Sequence, residues 1–207
     1  VKRVALYGTG SYDFIAGGTG SGNVNKPYIR NVAEGLAVNG LEVNQDIQKW
    51  YEQYIAFAKT SLKNNGGASG VLLGDPVISE MEVSRDFIVK MEPATDIAIF
   101  TLSRNAGEGG DRYAKDGDWT LTGQERELIQ TLADVYHAAG KQFVVVLKFK
   151  WHSIVFYLSE IRTPSCVISN LIDLRDIYRI LMSVFQYGIT DFEFSFRFHN
   201  IKKLLLF

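Results

Sequence analysis

Cysteine is almost absent from this chain, since Cys166 is the only one among 207 residues. A disulfide within the chain and a zinc site built from several cysteines are therefore both excluded. Histidine is nearly as scarce. His137, His152 and His199 lie far apart, without the short spacing of metal-binding motifs, which favours surface or packing roles over metal binding. We therefore expect no metal site.

Neither sign of charge dominates, with 22 Lys and Arg against 23 Asp and Glu. This balance gives no reason to expect nucleic acid or an anionic membrane as a partner. No stretch reaches the roughly 20 apolar residues of a membrane span. The N-terminus "VKRVALYGTG" lacks the apolar stretch and cleavage site of a signal peptide. We expect neither a nucleic acid nor a membrane as partner, and the compartment stays open.

Alanine and glycine are missing from the last part of the chain. Residues 1–150 hold fourteen alanines and residues 151–207 hold none, while Gly188 is the only glycine after residue 150. Ordinary soluble domains use both residues heavily. We predict one domain over residues 1–147 and an atypical tail over 148–207. The tail is either a second domain of unusual composition or a translation in a shifted reading frame.

The first part of the chain alternates short apolar runs with helical patterns, which predicts an α/β fold with a mostly parallel sheet. The helix over 122–139 is the best defined, because Thr122 and Glu125 have the spacing of a capping box and Gly140 follows its end. The predicted strands are 2–8, 96–102 and 141–149, and the other predicted helices run from about Pro27 to Asn39 and over 44–62.

One glycine-rich segment follows the first predicted strand and another follows the second, at the edge of a parallel sheet where ligands gather. The first segment contains two glycine-rich stretches. "GTGSYD" (8–13) departs from a dinucleotide fingerprint, and "GGTGSG" (17–22) lacks the Lys-Ser/Thr ending of a P-loop. Nucleotide binding is therefore disfavoured. The remaining alternatives are an ordinary turn, or a loop that lets a hydroxyl-rich ligand approach the backbone near Gly20, with Ser21 offering a hydrogen bond.

The glycine-rich segment after the second predicted strand, "SRNAGEGGDRY" (103–113), places Glu108 among three glycines, and Asp111 and Arg112 follow. A solvent-exposed loop acid is one interpretation. A carboxylate presented to a ligand is the other, with Arg112 able to orient a carboxylate or pair with Asp111.

These segments, together with "DWTLTGQERELIQTLADVYHAAGKQFVVVL", resemble the C-terminal α/β sandwich domain of glycoside hydrolase family 3, closest to its bacterial β-glucosidases. The resemblance covers residues 1–147. It implies a sheet sandwiched by helices that shares an active site with a TIM-like barrel, and the barrel carries the nucleophile. Glu108 matches the general acid/base, Ser21 and Gly20 match a sugar-contacting loop, and Asp111 and Arg112 match a "DR" ending that supports the loop or contacts substrate.

The resemblance implies a fragment of a retaining β-glucosidase that hydrolyses terminal β-D-glucosyl residues without a cofactor. Its partners are a β-glucoside or oligosaccharide and the barrel of the same full-length enzyme, in the bacterial cytoplasm or periplasm. The chain departs from the family in two ways: it has no barrel, and after "VVVL" it has "KFKWHSIVFYL" where relatives continue with glycine- and alanine-rich text. The sandwich is thus expected to be truncated and inactive alone. The alternative is a non-catalytic carbohydrate-binding or protein-interaction module.

Overall fold

The computed structural model describes residues 1–15, 27–64, 78–104, 115–118 and 120–148. Strands and helices alternate along this part of the chain, as the apolar pattern predicts. The strands are β1 (Arg3–Tyr7), β2 (Glu42–Val43), β3 (Ile97–Ser103) and β4 (Gln142–Lys148). The helices are α1 (Thr9–Tyr12), α2 (Val32–Val38), α3 (Gln45–Asn64), α4 (Arg85–Met91) and α5 (Gly123–Ala138), with a 3₁₀ turn at Glu92–Ala94.

The four strands form one parallel sheet in the order β2-β1-β3-β4. Ala5 pairs with Ala98, and Ala98 pairs with Phe143 on its other side, so β1 and β3 are the central strands of the described sheet. The chain moves from β1 to one side to form β2 and then to the other side to form β3. The strand order therefore reverses between β1 and β3.

Apolar side chains cover both faces of the sheet, which is why β1 and β3 are almost continuously apolar. On one face, Val4 and Leu6 of β1 pack with the buried residues of α2. On the other face, Ala5 and Tyr7 pack with residues of α3, α4 and α5. This is a helix–sheet–helix sandwich, and the predicted α/β fold with a parallel sheet is confirmed.

An ion pair joins the amino ends of the two central strands. The guanidinium of Arg3 donates to Asp96 Oδ1 at 2.6 Å, and the backbone amides of Lys2 and Arg3 donate to Oδ2 at 2.9 and 3.0 Å. The amide and side-chain hydrogen bonds of Arg3 hold the pKa of Asp96 well below its usual range. The functional groups considered below lie at the opposite, carboxyl edge.

The three predicted strands and the predicted helices at 44–62 and 122–139 are confirmed within one or two residues at each end. The prediction of a helix from Pro27 is wrong in its start, because the helix begins at Val32. Asn31 caps it, accepting from the Glu34 amide while the Glu34 carboxylate accepts from the Asn31 amide. Strand β2 and helices α1 and α4 were not predicted.

Candidate functional site

The strand order reverses between β1 and β3, and the carboxyl ends of two such strands are where open parallel sheets form a crevice. In open parallel sheets this is the point where ligands bind, because the connections leaving the two strands run to opposite faces. Gly8 follows β1 and Arg104 follows β3, so both glycine-rich segments of the sequence start at this point.

The chain leaves β1 in close contact with β3. Gly8 has a φ of 96°, and a Cβ added to it would lie 2.4 Å from the carbonyl oxygen of Thr101. A Cβ on Gly10 would lie 2.2 Å from Ser103 Oγ. Only glycine permits this approach of two backbones. Within the contact, the buried Ser11 hydroxyl lies 2.7 Å from the Tyr7 carbonyl oxygen and 2.8 Å from Thr101 Oγ1.

A carboxylate from another segment holds the same turn. Thr9 donates to Glu80 Oε2 through its amide at 2.9 Å and its hydroxyl at 3.2 Å, and the Met81 amide donates to Oε1 at 3.0 Å. Burial nevertheless raises the pKa of Glu80 to about 7, outweighing these hydrogen bonds, which lower it. The crevice therefore contains an acid that titrates near neutral pH.

Aromatic side chains lie beneath this acid. Tyr51 is fully buried, stacks on Tyr12 with ring centroids 5.4 Å apart, and meets Tyr7 edge-on at 6.5 Å. Its hydroxyl lies beside Glu80 without a well-aligned hydrogen bond to a described residue. Burial, with Glu80 adding to the effect, raises the pKa of Tyr51 far above its ordinary value, so Tyr51 stays neutral.

Arg104 leaves β3 with its side chain buried, only 7% exposed. Its guanidinium forms a two-point ion pair with Glu125 of α5, with Nη1–Oε1 at 2.7 Å and Nη2–Oε2 at 2.6 Å. This fork geometry is the strong form of an arginine–carboxylate contact. The Glu125 carboxylate also accepts from the Thr122 amide at 2.8 Å, completing the predicted capping box.

A lysine and an aromatic ring lie at the edge of the crevice. The ammonium of Lys148, the last residue of β4, lies 5.6 Å from the ring centroid of Phe14, within range of a cation–π contact. Burial lowers the pKa of Lys148. Phe14 lies three residues before Gly17 in the sequence, and this contact joins the end of β4 to the last part of the described range 1–15.

The predicted site residues Gly20, Ser21, Glu108, Asp111 and Arg112 all lie outside the described residues. The structure therefore describes only the flanks of the two segments that carry them. Among the described residues, no group of His, Cys, Asp and Glu has the arrangement of a metal site. No described helix is long and apolar enough to cross a membrane.

Neither the raised pKa of Glu80 nor the pairing of Arg104 with Glu125 is predictable from the sequence. Glu125 was identified only as a capping residue, and its partner is 21 residues away, beyond the reach of local patterns. Glu80 stands between exposed Ser79 and buried Met81, and Glu82 follows two residues later. Nothing in this spacing indicates that Glu80 is partly buried and Glu82 exposed.

The fold and the crevice define the class: an α/β domain that presents loops at the switch point of a parallel sheet. Residues 1–155 match the Glycosyl hydrolase family 3 C-terminal domain. The chain belongs to this family, as the resemblance predicted.

The similar curated proteins are β-glucosidases. β-Glucosidase A of Butyrivibrio fibrisolvens is 29% identical over 166 residues, which are 76% of this chain and 19% of that protein. A β-glucosidase of Ruminococcus albus is 28% identical over 131 residues, which are 62% of this chain and 13% of that protein. The chain thus spans about a fifth or less of the length of these relatives.

Solved structures agree with the sequence comparisons. β-Glucosidase 3B of Thermotoga neapolitana, in complex with glucose, is 33% identical to this chain and superposes with a TM-score of 0.63. The match covers 70% of this chain and 20% of that protein. A β-glucosidase of Paenibacillus barengoltzii is 32% identical with a TM-score of 0.60, over 70% of this chain and 15% of its own. The sandwich is therefore one part of larger enzymes in these relatives.

Proposed function

We propose that residues 1–147 are the sandwich domain of a retaining β-glucosidase, with Glu108 as its general acid/base. A retaining glycosidase needs one carboxylate to attack the anomeric carbon and a second, about 5–5.5 Å away, to protonate the leaving oxygen. In this proposal the first carboxylate belongs to a barrel domain of the same full-length enzyme. Glu108 then protonates the leaving group and afterwards deprotonates the attacking water.

The observation that carries the proposal is the position of the two flanks of the Glu108 segment. Arg104 leaves β3 at the switch point of the sheet, and Lys115 begins a turn whose carbonyls contact the Arg104 side chain. The segment between them therefore starts and ends at the edge where ligands of such sheets bind. The β-glucosidase relatives and the glucose complex of β-glucosidase 3B support the substrate class.

The remaining predicted residues take supporting roles. Ser21 would donate a hydroxyl hydrogen bond to the sugar, and Gly20 would let the sugar approach the backbone. Asp111 and Arg112 would contact substrate or hold the Glu108 segment. The glucosyl ring itself would be bound chiefly by the barrel, which also closes the site against water and raises the pKa of Glu108 toward neutrality.

The test uses the complete polypeptide from which this chain comes, which we call the parent enzyme. Glu108→Ala should lower kcat on cellobiose by at least about 100-fold, the usual scale of general acid catalysis. An aryl glucoside with a good leaving group needs no proton for departure, so its hydrolysis should lose less and should be partly restored by azide. Initial rates on both substrates measure the difference.

The control is Glu127→Ala, which removes an exposed acid of α5 and should leave both rates unchanged. A mild, equal loss on both substrates in Glu108→Ala would contradict the acid/base role. A parent polypeptide without a barrel would favour the rival function, a carbohydrate-binding or interaction module.

The 207-residue chain alone should not hydrolyse aryl β-glucosides, because the proposal places the nucleophile on the barrel. Incubation of the purified chain with an aryl glucoside measures this directly. Hydrolysis that is present in the wild-type chain and absent in Glu108→Gln would show that the chain needs no barrel, and would contradict this part of the proposal.

A further inference from the structure

The side chain of Arg104 has all five of its N–H groups matched to acceptors. Nε donates to the carbonyl of Asp118 at 3.0 Å, and the two terminal nitrogens donate to the Glu125 carboxylate. The remaining donors reach the carbonyls of Ser103 at 3.3 Å and Thr120 at 3.4 Å. Guanidinium has five donors and no acceptor, so no donor is left over.

These acceptors lie on both sides of the segment 105–114. Ser103 precedes it, at the end of β3. Asp118 and Thr120 follow it, in a turn closed by the amide of Gly117 donating to the Thr120 carbonyl at 2.9 Å and by the hydroxyl of Thr120 donating to Asp116 at 2.8 Å. One side chain therefore joins the two ends of a ten-residue segment.

The backbone of Arg104 and the carboxylate that its guanidinium contacts are both held by further hydrogen bonds. The Arg104 amide donates to the Lys148 carbonyl at 3.0 Å and so extends the ladder between β3 and β4. The Glu125 carboxylate is held by the Thr122 amide at the first turn of α5. The contact thus connects the sheet, helix α5 and the turn 115–120.

We propose that Arg104 is a positioning residue for the proposed acid/base, which it serves by holding both ends of the segment that carries Glu108. This inference rests on the proposed function for its catalytic consequence, whereas the contacts that carry it involve described residues alone. Arginine is required because its planar fork addresses a carboxylate and several carbonyls at once, which the single ammonium of lysine does not.

Stability alone is a poor explanation of this arrangement. Apolar residues of similar volume often stabilise a fold as well as a buried ion pair does, because both charges lose their hydration on burial. The carbonyl contacts satisfy backbone acceptors on both sides of 105–114, which an apolar replacement would not do. They also fix the geometry of the chain at both ends of 105–114, and small displacements of a reacting group have large effects on rate.

The decisive variant is Arg104→Met/Glu125→Gln. It removes the five donors without leaving an unpaired buried carboxylate, and glutamine keeps the capping interaction with Thr122. Glu125→Gln alone keeps the carbonyl contacts of Arg104. The matched control is Lys141→Met/Glu92→Gln, which removes a partly buried ion pair at the amino edge of the same sheet.

In the parent enzyme, Arg104→Met/Glu125→Gln should lower kcat on cellobiose about 10- to 100-fold, with KM changed by less than about 3-fold. The aryl glucoside should lose less, so the ratio of the two kcat values shifts in the same direction as in Glu108→Ala. Arg104→Lys should also fail to keep the wild-type ratio of the two kcat values. The control pair should leave it unchanged, whatever its effect on the melting temperature.

An unchanged ratio in Arg104→Met/Glu125→Gln, beside a shifted ratio in Glu108→Ala, would overturn this inference and leave the proposed function standing. An unchanged ratio in Glu108→Ala would instead remove the proposed function. Hydrogen exchange on the 207-residue chain tests the structural premise, that Arg104 holds the turn after the segment: the amides of Gly117 and Thr120 should exchange at least about 10-fold faster in Arg104→Met/Glu125→Gln than in the control pair. Equal exchange would overturn it.

Discussion

Glu80 is a partly buried acid beside the turn that leaves β1. Its carboxylate accepts from Thr9, at the turn that leaves β1, and from the Met81 amide of its own segment. Burial raises the pKa values of Tyr51 and Tyr54, and the charge of Glu80 adds to this effect. Both tyrosines stay neutral near pH 7. Of these three residues, Glu80 is therefore the one whose charge changes between pH 4.5 and 7.

The first prediction at this scale concerns stability against pH. The pKa of Glu80 rises from 4.5 to about 7 on folding, so folding favours the neutral acid. This contribution is fully present below pH 4.5 and is lost as the pH rises through about 7. Relative to Glu80→Gln, the free energy of unfolding of the wild-type chain should therefore fall over this interval, by about 3 kcal/mol at most.

Urea unfolding of both proteins at pH 4, 5, 6, 7 and 8 measures this difference. Glu82→Gln, which alters an exposed acid two residues away, is the control and should run parallel to wild type. If the curves of Glu80→Gln and wild type are also parallel, Glu80 has an ordinary pKa and the crevice holds no acid that titrates near neutrality.

At the scale of single elements, the sequence predicts what local chemistry determines. Helix α5 is recognisable from its cap at Thr122 and its apolar face, and the structure confirms both. The start of α2 is mispredicted because Pro27 is a good first helical residue, whereas the reciprocal capping of Asn31 and Glu34 sets the actual start. Strand β2 has two residues, too few for any periodicity, and pairing with β1 defines it.

The same limit applies to the site. Glycine at positions 8 and 10 is visible in the sequence, but the contacts that require it come from Thr101 and Ser103, more than ninety residues away. The pairing of Arg104 with Glu125 likewise depends on how α5 packs beside β3. Tertiary contacts of this kind have no local signature, so the sequence indicates the loops and not what holds them.

The β1–α1 junction gives the prediction at this scale. Gly8→Ala should destabilise the chain by about 3 kcal/mol or more, because the new methyl group would meet the Thr101 backbone and the positive φ disfavours alanine. Gly40→Ala isolates the second effect, since Gly40 has a φ of 77° and nothing within 4 Å of the added Cβ. Its cost should be about 1 kcal/mol.

Denaturant unfolding of both variants separates the two contributions. Gly123→Ala completes the series, because this helical glycine has open space around it and alanine should stabilise α5 by about 0.5–1 kcal/mol. Equal costs at Gly8 and Gly40 would contradict the close contact between the turn and β3.

At the scale of the whole molecule, the part of this chain that matches is about a fifth or less of the length of the similar β-glucosidases. Arg104, which directly precedes the Glu108 segment in the sequence, lies at the carboxyl edge of the sheet. Among the described residues β4 pairs only with β3, and no described strand lies on its other side. The edges of sheets in natural proteins are normally paired, covered or blocked.

The last prediction concerns the polypeptide after β4. If residues 148–207 are translated in a shifted frame, another frame of the nucleotide sequence after codon 147 should encode glycine- and alanine-rich text with the strand and helix patterns of residues 1–147. The same two alternative frames before codon 147 serve as the control and should encode no such text. The polypeptide encoded by that frame would then supply a strand that pairs with β4. Alternative frames that are interrupted by stop codons after codon 147 would contradict the shift, and the phenylalanine-rich tail would then be a native extension that needs a protein partner to cover it.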